Sequence, residues 1–188
     1  GSAWTEVNDL NTARERLAGT GTTTSALADG GYITNNSALT ESWNGTNWTE
    51  VNDLSLARNS LGNSGASNTS ALAFGGNVDG GGGGRKAETE SWNGSNWTEV
   101  GDLNDGRSEL AGFGSITAAV AAGGDSPGVT ANVEIWNGSN WTETTNLATA
   151  RNNLSGSGTS SLGVVMGGTT GSLTNATEEF TGAGQPVG

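Results

Sequence analysis

Four arginines stand at one fixed offset: Arg14, Arg58, Arg107 and Arg151 each fall ten residues after a tryptophan, namely Trp4, Trp48, Trp97 and Trp141. Four glutamates recur with them. Glu41, Glu90, Glu134 and Glu178 each stand two residues before a large aromatic, Trp43, Trp92, Trp136 or Phe180. Guanidinium groups gathered in a ring could bind an anion. They could instead hold carboxylates and backbone carbonyls through paired hydrogen bonds, fixing a turn between structural units. Presence in every unit at one offset favours the architectural role.

Other chemistry is thinly supplied. A second acidic series, Glu6, Glu50, Glu99 and Glu143, is joined by Asp9, Asp53 and Asp102. Calcium needs several oxygens within one short, glycine-bearing loop. Asp79 alone precedes a run of five glycines, so neither a metal nor a cofactor is expected. The chain has no Cys and no His. That removes thiolates, disulfides and the commonest catalytic base and metal ligand. The single lysine, Lys86, lies in the run G-G-G-G-G-R-K. Carboxylates sit at repeat positions, where every unit would carry the same site. The expectation is a protein that is not an enzyme.

The elements that position these residues follow from the period. The segments W-T-E-V-N-D-L-N-T-A-R, W-T-E-V-N-D-L-S-L-A-R, W-T-E-V-G-D-L-N-D-G-R and W-T-E-T-T-N-L-A-T-A-R start 44, 49 and 44 residues apart. A period of this size means stacked or radially arranged units. Each unit reads as four short strands: a Gly/Ser/Thr-rich run, a small apolar run ending in Gly-Gly, an E-x-aromatic strand and the W-T-E strand. With 33 glycines the chain is unsuited to helical repeats. Asn44-Gly45, Asn93-Gly94 and Asn137-Gly138 read as hairpin tips, because Asn-Gly tolerates positive φ at both positions. Repeated N-x-S/T sequons at these tips follow from the same turn chemistry.

The double glycines at 30–31, 75–76, 123–124 and 167–168, the E-x-aromatic strand and the following Trp strand resemble the kelch repeat. The resemblance covers residues 4 to about 182, and is nearest to kelch-like arrays of viral and environmental bacterial proteins. It implies an all-β propeller with four four-stranded blades per chain. Some kelch enzymes are similar to galactose oxidase, which binds copper through Tyr and His. With one Tyr and no His, this chain does not carry that site over.

Residues 1–182 form one expected domain, with units at about 8–51, 52–100, 101–144 and 145–182 plus a strand at 3–7; residues 183–188 are expected to be a flexible tail. The strand Trp4–Val7 has the phase of an outer strand, and the unit at 145–182 lacks one. Pairing the two removes exposed edges. One chain could close on itself as a four-bladed ring, or two chains could exchange this strand in an eight-bladed homodimer. Kelch propellers usually have six or more blades, which favours the homodimer.

The net charge is −12, and only Arg16, Arg85 and Lys86 are basic outside the repeat arginines. Without a basic stripe, nucleic acid is not an expected partner. No apolar run approaches the length of a membrane span, and no charged-then-apolar leader is visible, so the compartment stays open. Individuality resides in the variable loops after Gly-Gly. Tyr32, Asn35, Asn36, Asp79, Arg85 and Asp125 are the candidate ligand contacts. They suit a structural or protein-interaction module, or alternatively a carbohydrate-binding module, since amides and aromatics match sugar hydroxyls and ring faces.

Overall fold

The computed structural model describes residues 3–79 and 83–182. Every regular element among them is a strand. The first blade is β1 (Ala18–Thr22), β2 (Ser25–Asp29), β3 (Thr40–Trp43) and β4 (Trp48–Glu50). The second is β5 (Gly62–Ser67), β6 (Ser70–Phe74), β7 (Thr89–Trp92) and β8 (Trp97–Glu99). The third is β9 (Ala111–Ser115), β10 (Ala118–Ala122), β11 (Val133–Trp136) and β12 (Trp141–Glu143). The fourth is β13 (Ser155–Gly158), β14 (Leu162–Met166) and β15 (Thr177–Thr181). Each sheet is an antiparallel meander in chain order, and the four are arranged as blades of a β-propeller.

The strand register repeats. Trp43 faces Trp48, Trp92 faces Trp97 and Trp136 faces Trp141, with ring centroids 5.3–5.5 Å apart. The Gly-rich strands β1, β5, β9 and β13 are innermost, where little room is left for side chains. The core lies between blades rather than within them. Leu72, Phe74, Leu103 and Leu110 of the second blade and its linker meet Trp136 and Trp141 of the third. Phe113, Val120 and Val133 of the third meet Leu154 and Val165 of the fourth.

The hairpin tips differ from expectation in one respect. Gly45, Gly94 and Gly138 have φ of 91°, 92° and 96°, but the preceding asparagines are not left-handed. Asn44 instead turns its side chain back, and its Oδ1 accepts from the amides of Thr46 and Asn47, both at 2.9 Å. Asn93 and Asn137 do the same. These are Asx turns, which satisfy the loop without a second left-handed residue.

The first of each Gly-Gly pair marks a close approach between blades. A Cβ on Gly30 would lie 2.7 Å from the Arg58 carbonyl, and on Gly75 2.6 Å from that of Arg107. Their φ values of 66° and 68° add a second reason for glycine.

The segment expected to complete the fourth sheet does not do so within its own chain. Trp4–Val7 forms no strand, and Trp4 is fully exposed. The geometry of the arc explains this. β1 packs on β5, β5 on β9 and β9 on β13, but no comparable contact joins β13 to β1 among the described residues. The open edge of β15 therefore lies at the far end of the arc from Trp4. The expected tail, 183–188, lies outside the described residues.

Candidate functional site

The repeat arginines and glutamates form one motif four times. Arg58 Nη2 lies 3.0 Å from Glu90 Oε1, Arg107 Nη2 2.8 Å from Glu134 Oε1 and Arg151 Nη2 2.9 Å from Glu178 Oε1; Arg14 pairs with Glu41. Each guanidinium also donates to carbonyls of its blade, as Arg58 does to Ala73, Gly75 and Glu88. The second carboxylate oxygen accepts the backbone amide of Asn11, Ser55, Asn104 or Ala148. The pair thus clamps the linker that enters each blade. All four guanidinium groups are buried.

Burial has opposite consequences for the two partners. It lowers the pKa of Arg58 and Arg107 from the usual guanidinium range, more than Glu90 and Glu134 raise it. For Glu41, burial pushes the carboxyl up. The Asn11 amide and the Arg14 guanidinium outweigh that and leave it below its ordinary value. The pairs point into blades rather than to an open site.

The variable residues gather elsewhere. Tyr32, Asp79 and Asp125, from the loops after three successive Gly-Gly pairs, line one depression of about 310 Å³. With them stand Glu15, Arg16, Asn59, Ser60, Ser108 and Glu109. Of the remaining candidates, Asn36 stands behind the wall, its Oδ1 accepting from Asn59 Nδ2 at 2.5 Å. Arg85 reaches across blades to Asp125, 2.6 Å from its Oδ2. Asn35 serves the local turn, its carbonyl accepting from Ile33 N at 3.0 Å. The site therefore unites Tyr32, Asp79 and Asp125, supports them with Asn36 and Arg85, and leaves Asn35 to the loop.

Sequence reasoning passed over Glu15, Arg16, Asn59, Ser60, Ser108 and Glu109. They were hidden in the constant part of the repeat, directly after each arginine. The signal was present, because R-E-R-L, R-N-S-L, R-S-E-L and R-N-N-L keep their ends and vary only in the middle. Arg16, Ser60, Glu109 and Asn153 share a left-handed backbone, with φ of 52–57°. A chain of interblade bonds holds it. Ser60 N donates to Arg16 O, Glu109 N to Ser60 O and Asn153 N to Glu109 O, at 2.8–2.9 Å. Non-glycine residues in this conformation are costly and persist where surrounding structure fixes them.

The depression carries four carboxylates, Glu15, Asp79, Glu109 and Asp125, and one guanidinium, Arg16. It suits cationic or uncharged hydrogen-bonding groups better than anions. Among the described residues no cluster of carboxylates has the arrangement of a metal site. No family model matches the chain, and no curated protein matches it either.

Proposed function

We propose that the protein is a non-catalytic propeller module, with blades of the kelch type, that binds a protein partner on the loop face. One observation carries this reading. The residues that differ from blade to blade converge in one polar depression, while the arginines and glutamates common to all blades are consumed by buried ion pairs inside the blades. Binding proteins concentrate variation in loops set on a rigid scaffold. The excess of carboxylates favours a partner segment bearing Lys or Arg. A carbohydrate ligand is the second reading, favoured by Tyr32, Asn59 and Asn77 lining the same depression.

Peptide and glycan arrays probed in parallel with the chain and with Tyr32→Ala test both readings. Binding to basic peptides that weakens at least tenfold in the variant supports the first. Binding confined to glycans, with the same loss, replaces it with the second. Binding indifferent to the substitution refutes the site.

A further inference from the structure

The three seams between blades are built alike, and the two end faces of the arc carry the unmatched halves of the same seam. We infer that the end faces of this chain dock onto a second copy, giving a two-fold, eight-bladed ring.

Each internal seam contains the same backbone bonds. Leu54 N, Leu103 N and Leu147 N donate to Ala38 O, Ala87 O and Ala131 O, all at 3.0 Å. Arg58 N, Arg107 N and Arg151 N donate to Ser37 O, Lys86 O and Thr130 O at 3.0–3.2 Å. Gly31 N, Gly76 N and Gly124 N donate to the carbonyls of the next blade's Arg58, Arg107 and Arg151 at 2.8–2.9 Å. The chain of left-handed residues adds a fourth bond. Continuing each series by one unit leaves Leu10 N, Arg14 N, Arg16 N and Gly168 N as donors in need of acceptors. The acceptors in register are Asn175 O, Thr174 O, Asn153 O and Arg14 O. None of these bonds forms within the chain among the described residues.

Side chains show the same interruption. Trp97 Nε1 and Trp141 Nε1 donate to Thr40 Oγ1 and Thr89 Oγ1 of the preceding blade, each at 3.0 Å. By register, Trp48 would meet Thr177. Phe74 covers Gly112, where an added Cβ would lie 2.8 Å from the ring. The corresponding pair at the open ends is Met166 and Gly19. Met166 is 40 % exposed, against 0–1 % for Asp29, Phe74 and Ala122 at its position. At Gly19 an added Cβ would meet nothing nearer than a carbonyl of its own sheet, 3.7 Å away. Gly167 also lacks the approaching carbonyl that crowds its three counterparts.

The N-terminal segment fixes the polarity of the assembly. Asn8 Nδ2 donates to Thr46 O and Asn47 Oδ1 of the first blade, just as Asn52 Nδ2 does to Ser95 O and Asn96 Oδ1 of the second. Residues 8–14 are therefore seated as an interblade linker. Trp4–Val7 emerges where the outer strand of a preceding blade belongs. The register of β3 with β4 pairs Trp4 with Phe180, Thr5 with Glu179 and Glu6 with Glu178 of that blade. Glu178 is 23 % exposed in its side chain, against 1–2 % for Glu41, Glu90 and Glu134, as expected for a sheet lacking this strand.

The number of copies follows from closure. Four blades do not bring β13 to β1, and their inner strands line an open groove. Two copies give eight blades, within the range that propellers adopt, whereas three would give twelve. A two-fold ring makes both seams identical and leaves no open edge. This inference is independent of what the loop face binds.

The chain lacks cysteine, so a cross-link reports the pairing directly. Thr5→Cys with Glu179→Cys, oxidised and run without reductant, should give a covalent dimer, and light scattering should give twice the 18.8 kDa chain mass. Each single variant should remain uncross-linked across this seam. Gly19→Glu should halve the mass while far-UV circular dichroism stays unchanged. A cross-link within one chain overturns the inference in favour of a four-bladed ring. A monomer without a cross-link overturns it and assigns the end faces to other blades, and open-ended oligomers overturn the closure. Should Gly19→Glu fail to fold, the cysteine pair decides alone.

Discussion

The contribution of Asp29 to stability should be less favourable at neutral than at mildly acidic pH. This residue ends β2, in the position taken by Phe74, Ala122 and Met166 in the other blades, and is completely buried. Among the described residues neither carboxylate oxygen makes a hydrogen bond of good geometry. Burial raises its pKa from 3.8 to about 6, and the nearby Arg58 charge and Asn63 amide offset only part of the effect. The folded state therefore binds the proton more tightly than the unfolded state. The contribution of Asp29 is most favourable below the unfolded value, falls as pH rises from about 4 to about 6, and stays lower beyond. A shift of roughly two pKa units corresponds to about 3 kcal/mol. Asp29→Asn keeps the shape and cannot ionise. The stability of the variant minus that of the wild type should therefore widen by about 3 kcal/mol between pH 3 and pH 7. For a chain of this size the widening would appear as about 6–12 °C in melting temperature. Urea titrations followed by tryptophan fluorescence at several pH values measure it. Carboxylates common to both proteins cancel in the difference. A difference that does not change with pH, or that narrows as pH rises, would refute the reasoning.

Arg58→Met should cost about 3–5 kcal/mol, because it strands Glu90 as a buried, unpaired charge. Adding Glu90→Leu should recover much of that loss in the same urea assay. Trp92→Ala should also cost about 3–5 kcal/mol, since the ring is buried against Trp97 and its Nε1 donates to Asn68 O at 2.8 Å. Gly75→Ala should destabilise far more than Gly171→Ala. Both have positive φ, but an added Cβ meets the Arg107 carbonyl at 2.6 Å in the first and nothing within 4 Å in the second. Equal thermal shifts for the two would show that backbone conformation, and not the approach of the next blade, sets the requirement.

How much was legible in the sequence follows from what repeats. Hydrophobic alternation and turn chemistry act over a few residues, so the strands, the hairpins and the four-blade period could be read directly from W-T-E, N-G and G-G. The Arg-to-Glu spacing likewise announced a recurring constraint, although only the fold shows Arg58 inside its own blade with Glu90 clamping the linker at Ser55. The depression was half legible. Loop residues such as Tyr32 and Asp125 stood out, whereas Ser60 and Glu109 were masked by the constant residues around them. What brings them together is the chain of left-handed residues across the four blades, a contact between units that no local pattern encodes. Asp29 is the sharpest case. Its sequence neighbours mark it as the end of a strand, but its burial depends on the second blade packing over it. Curvature is likewise a sum over side chains filling each seam. The composition therefore determined the blades, and only their packing decided that four of them leave β1 and β13 apart.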